Sequence, residues 1–259
     1  MASSIETTST TTTLKNNGNT YMSVDTNDAV TFATGGISVS SLNGGQLGGN
    51  RNLVINGDMR IDQRNAGASI TPTADGTFSV DRLNCRVPVA SKFSIEQNQN
   101  AVTPPAGFIN YAGVTSLSAY TVAAGASFAL QSKVEGFDFA RCAFGTSDAK
   151  SITFSFWVRS SLTGTFGGAF LNSAADRSYP YNYTISSADT WEQKTITATG
   201  DTTGTWLTNN AIGFIISFGL GTGADVSGTA GSWTAGTKLN ATGATSLLAT
   251  NAATLYITG

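Results

Sequence analysis

The stretch Ser151-Ile152-Thr153-Phe154-Ser155-Phe156-Trp157-Val158-Arg159 decides the fold class. In an extended chain successive side chains point to opposite faces, so Ile152, Phe154, Phe156 and Val158 share one side. Thr153, Ser155, Trp157 and Arg159 share the other. One face is apolar throughout and the other is largely polar, which predicts a strand lying on a core.

Short runs with strand character recur along the chain, at 78–83, 93–97, 127–134, 181–186, 192–199, 212–220 and 253–258. Leu53-Val54-Ile55 adds another, closed by the turn-forming Asn56-Gly57-Asp58. Nearly every interval carries Gly, Pro, Asn or Asp. The best helical candidate, 136–144, allows one or two turns across the end of a sandwich. Eight or more such strands with few helices predict an all-β chain of two packed antiparallel sheets, a jelly-roll β-sandwich.

Composition agrees. The 259 residues include 29 Gly and only 12% charged side chains, about half the usual share, with Ser, Thr, Asn and Ala in their place. Fourteen basic and sixteen acidic residues give a formal net charge of -2. That is no footprint for nucleic acid and no polybasic patch for anionic lipid. No run approaches the roughly 20 apolar residues of a membrane-spanning helix. The opening MASSIETTSTTTT has neither the basic nor the apolar region of a signal peptide. Cys85 and Cys142 are expected as two buried free thiols.

The Gly-rich stretch 43–52 reads as a linker and divides the chain into an attachment or stalk segment, 1–50, and a main domain, 51–259. Before it, the Ser/Thr tract 3–13 shows no apolar periodicity and is expected to be either disordered or ordered only by a partner. Short alternating runs at 20–24, 29–32 and 36–40 follow. Strands this short cannot bury their own apolar face, so the segment is expected to assemble with other copies of itself as a homo-oligomeric stalk.

The enzyme classes find little support. The chain has no His, which removes Ser-His and Cys-His catalysis and the commonest metal ligand. Asp176, Asp189, Glu192 and Asp201 could supply a glycosidase pair, but turn-capping and solvated-strand roles fit them better. Gly44-Gly45-Gln46-Leu47-Gly48-Gly49 lacks the Lys-Ser/Thr ending of a phosphate loop. Asp25, Asn27 and Asp28 alternate without completing a calcium loop. No catalytic residue, metal ligand or cofactor is expected.

Binding has better candidates. Sugar rings stack on flat aromatic faces, and Arg177-Ser178-Tyr179-Pro180-Tyr181-Asn182-Tyr183 offers tyrosines beside a cation. Arg177, Tyr179, Tyr181, Trp206 and Trp233 are therefore the glycan-contact candidates. The same alternation puts the three tyrosines on one strand face, where they fill a core equally well. Trp206 and Trp233, each in a Gly/Thr-rich setting, fit either role, whereas Trp191 reads as core.

Residues 52–65, Asn-Leu-Val-Ile-Asn-Gly-Asp-Met-Arg-Ile-Asp-Gln-Arg-Asn, resemble the opening of the C-terminal, carbohydrate-binding-module-like jelly-roll domain of tailed-bacteriophage tail-fibre and virion fibre proteins. Ser79-Val80-Asp81-Arg82, 130–136, 153–161, 164–168, 190–197 and 255–259 continue the likeness, with Leu83 standing where that family carries an aromatic residue. The resemblance implies a structural virion protein made in the host cytoplasm, a trimeric fibre or adhesin attaching to host surface polysaccharide. Its N-terminal segment would dock on other tail or capsid proteins. A decoration or adaptor protein without glycan binding is the alternative, and a polysaccharide-degrading spike a remote one.

Overall fold

A computed structural model describes residues 52–259 with their side chains and, before them, the backbone of 3–7, 11–16, 19–25, 30–32, 41–42 and 45–46. The chain divides into two compact units, Met1–Arg51 and Asn52–Gly259.

In the first unit, β1 (Ser3–Thr7), β2 (Thr11–Asn16), β3 (Asn19–Asp25) and β4 (Val30–Phe32) form a four-stranded antiparallel sheet in chain order. β5 (Ser41–Leu42) and β6 (Gly45–Gln46) make a separate small pair. Within the Ser/Thr tract, 3–7 and 11–13 lie in strands, since β-branched Thr favours extended backbone without any apolar alternation. The expected run at 36–40, and the linker 43–52 apart from β6 and Asn52, lie outside the described residues.

The second unit is a jelly-roll β-sandwich. Its strands are β7 (Leu83–Arg86), β8 (Phe93–Gln97), β9 (Ala112–Ser116), β10 (Ser127–Glu135), β11 (Ile152–Ser160), β12 (Gly164–Leu171), β13 (Arg177–Ile185), β14 (Glu192–Ala198), β15 (Ile212–Thr222), β16 (Ser227–Gly228), β17 (Thr234–Ala235), β18 (Asn240–Ala241) and β19 (Thr254–Thr258). One sheet has six strands in the order β17-β13-β12-β15-β10-β7; the other has five, β14-β11-β19-β9-β8. All pairings within both are antiparallel. A single helical turn, α1 (Gly136–Phe139), follows β10.

Between the sheets β11 carries the alternation read from its sequence. Phe156 meets Tyr183 and Phe218 of the opposite sheet at ring-centroid distances of 5.1 and 5.0 Å, and Phe154 meets Phe170 at 5.8 Å. Phe93, Ile95, Phe128, Leu130, Phe166 and Leu255 complete the buried layer.

Two expected strands are irregular. Leu53-Val54-Ile55 runs into a loop because Asn56 adopts a left-handed φ of 59°. Its amide donates to the carbonyls of Ile61 and Asp81 (2.9 and 2.8 Å) and its Oδ1 accepts from Ile61 N (2.9 Å), replacing sheet pairing with side-chain bonds. Residues 78–82 turn, and the strand starts at Leu83. β13 begins four residues earlier than expected: Pro180 sits beyond the two residues that β17 pairs, where its missing N–H costs no ladder bond.

Candidate functional site

The five expected contact residues end up in different environments. Tyr179 and Tyr181 are only 6% and 2% exposed, their rings stacked or tilted on Phe170, and the Tyr181 hydroxyl donates to Ser217 O at 3.0 Å. Burial pushes both phenols up from their ordinary value. They hold the sheets together and show no ring face to solvent, so the expected platform is not built from them.

Arg177 is also engaged. Its Nε and Nη2 donate to the two oxygens of Asp201 at 2.7 and 2.8 Å, clasping the start of β13 to the loop after β14. Hydrogen bonding to Asp201 raises the guanidinium further. Trp206, 8% exposed, lies among Phe139, Phe144 and Phe214, and its indole N–H donates to Thr203 O. These two positions are corrections as well: a bidentate ion pair and an aromatic cluster have consumed them.

Trp233 differs. It is partly exposed, and its indole N–H is taken by Thr199 O at 2.7 Å. Edge-on contacts with Phe144 (5.6 Å) and Trp206 (5.3 Å), and a tilted one with Tyr179 (5.2 Å), fix its ring from behind. It borders an open recess of ≈ 510 Å³ whose other walls are Ser227, Gly228, Thr229, Ser232, Thr234, Lys238 and Thr242. Five hydroxyl-bearing residues, one lysine, one glycine and one tryptophan line this space, and no acidic residue does.

The recess is held by hydrogen bonds to β13 and to Asp176 just before it. Gly231 N donates to Pro180 O (2.9 Å) and Gly236 N to Asp176 O (2.7 Å). Ser178 Oγ donates to Gly236 O and accepts from Lys238 N at 2.9 Å. β16 and β18 pair in parallel, and Thr242 N donates to Gly228 O at 2.8 Å. Gly231 and Gly236 turn with φ of 95° and 87°, backbone that a side chain would strain. Sequence reasoning named Trp233 but missed its neighbours. The one available signal was the Ser/Thr/Gly density of 227–242 around a tryptophan.

The other aromatic surface, the outer face of the five-stranded sheet, is roofed. Tyr111, fully buried, meets Tyr256 at 5.5 Å and Trp191 at 5.7 Å; Trp191 N–H donates to Thr103 O. Arg159 lies over the Tyr256 ring and binds Asp189 at 3.1 Å.

Each candidate acid already has a partner: Asp176 accepts from Asn172, Asp189 and Asp201 bind arginines, and Glu192 binds Lys194 at 2.6 Å. For Glu192, burial alone would raise the carboxyl. Lys194 and the amides of Ser186 and Ser187 outweigh it, so the group sits below its ordinary value. Among the described residues no group of three potential metal ligands converges, and no helix is long and apolar enough to cross a membrane. The side chains of Asp25, Asn27 and Asp28 lie outside the described residues.

No protein-family model matches the chain, and no curated protein matches it by sequence. Among solved structures, it is similar to the enzymatically active domain of bacteriophage CBA120 tailspike protein 4, at 11% identity and a TM-score of 0.38 over 79% of this chain and 20% of that one. The chain thus spans about a fifth of that tailspike's length. A carbohydrate-binding module of the CBM4 type is similar at 12% identity and a TM-score of 0.34, over 65% of this chain and 91% of the module. The N-terminal cellulose-binding domain of a Cellulomonas fimi β-1,4-glucanase gives 14% and 0.27, over 57% of this chain and 73% of that domain. Function therefore rests on the chemistry of the site itself.

Proposed function

We propose that this chain is a non-enzymatic structural protein of a tailed-bacteriophage virion, a homotrimeric fibre or adhesin that binds host surface polysaccharide. The recess beside Trp233 carries the reading: a fixed indole among hydroxyls suits a sugar's apolar ring face and its hydroxyl rim. The resemblance of residues 52–65 to fibre proteins supports a virion setting for such a site. The engaged carboxylates favour binding over cleavage.

Self-association is supported by the loop cluster at the start of the main domain. Ile55, Ile61 and Phe78 are 47%, 48% and 39% exposed around one recess. The pairs Arg60–Asp58 and Arg64–Asp81 lie in the same loop cluster, and Arg82 joins it to Glu135 at the end of β10. A rim of alternating, balanced charge is complementary to a second copy of itself, and the first unit would dock on another tail or capsid protein.

The test is an array of bacterial surface polysaccharides. Native protein should be retained, and Trp233→Ala should weaken binding roughly 30-fold, the ~2 kcal/mol cost of truncating an anchoring aromatic. Thr229→Trp, at an exposed position that leaves the core intact, should block the recess equally. Retention of both variants at native strength removes this site, and light scattering that gives a monomer removes the fibre.

A further inference from the structure

We infer that the recess selects anionic sugars, those bearing a uronic carboxylate or a phosphate ester, with Lys238 as the selecting residue. This rests on the glycan-binding reading of that recess.

Lys238 is held in place rather than free to sweep the surface. Its backbone N–H donates to Ser178 Oγ at 2.9 Å, and its ammonium donates to the backbone carbonyl of Asp225 at 2.8 Å. A Cβ on Gly228 would stand 3.0 Å from Lys238 Cγ, so the absence of a side chain at 228 makes room for the lysine stem. Among the described residues no carboxylate lies within ion-pair distance of its ammonium, as is also true of Arg86, Lys92, Lys133, Arg141 and Lys150, but of these only Lys238 lines the recess.

An ammonium has three donor protons, and one carbonyl occupies only one of them. The other two remain for a ligand. Among the described residues the neighbouring hydroxyls of Thr229, Ser232 and Thr242 have no hydrogen-bond partner and can donate to the same oxygens. With no acid in the lining to repel an anion, a charged acceptor bridging Lys238 and these hydroxyls forms charge-assisted bonds worth more than those of a neutral hydroxyl. The sugar ring then lies towards Trp233 and its acidic group towards Lys238.

The experiment takes the polysaccharides that native protein retains and compares each with its carboxyl-reduced and its dephosphorylated form, using native protein and Lys238→Gln. Removing the charge should weaken native binding at least about tenfold, while Lys238→Gln should bind charged and neutralised forms alike. Which treatment acts tells a uronic acid from a phosphate ester. Equal binding of charged and neutralised forms by native protein, or a preference that survives in Lys238→Gln, overturns the inference while leaving glycan binding standing. Retention of no polysaccharide at all overturns glycan binding itself.

Discussion

At the scale of single residues, sequence reading gives the chemistry available but not which partner claims it. Tyr179, Tyr181 and Tyr183 were legible as one strand face, yet core and ligand both welcome aromatic rings. Only the opposite sheet, with Phe154 and Phe156 in position, assigns them inward. Cys85 and Cys142 are free and buried, as expected. Burial, the largest influence, pushes the Cys85 thiol from 9.0 up to about 12. A proton held more tightly in the folded state gives a contribution complete below pH 9 and lost as pH rises from 9 towards 12. Unfolding free energies from urea titration should therefore fall faster for native protein over that range than for Cys85→Ala, by on the order of 1 kcal/mol per pH unit. Parallel curves would show that the thiol ionises normally.

At the scale of elements, the long alternating strands β8, β10, β11, β14, β15 and β19 were readable because the core imposes a period of two on them. β9 and β12 escaped notice. Their sequences, Ala112-Gly113-Val114-Thr115-Ser116 and Gly164-Thr165-Phe166-Gly167-Gly168-Ala169-Phe170-Leu171, place glycines where alternation would show. Those glycines answer to close neighbours instead: a Cβ on Gly113 would collide with Gln99 and Tyr256, and one on Gly168 with the Ser217 carbonyl and the Tyr181 ring. The Arg177–Asp201 clasp was equally hidden, since 24 residues separate two side chains that meet only after β13 and β14 have folded. Asp201 is 3% exposed, so Arg177→Ala leaves a charge buried without its partner. Such a loss should cost about 3 kcal/mol in urea unfolding, and Arg177→Met with Asp201→Leu should recover most of it. A single variant as stable as native protein would mean the pair is solvated.

At the scale of the whole molecule, fold class followed from strand count, turn chemistry and low charge, and the two-sheet sandwich agrees with it. The site was only partly legible. Trp233 could be named, but the walls of its recess come from β16, from Thr234 of β17 and from loop residues between β16 and Thr242. Their placement depends on hydrogen bonds to the backbone of Pro180 and Asp176 and to the Ser178 hydroxyl, far back in the chain. Two surfaces could have met a glycan, the Trp233 recess and the outer face of the five-stranded sheet. Hydrogen–deuterium exchange on native protein, with and without a retained polysaccharide, separates them most directly. Protection concentrated in residues 227–242 is the predicted result; protection on β11 and β14, with 227–242 unchanged, would contradict it.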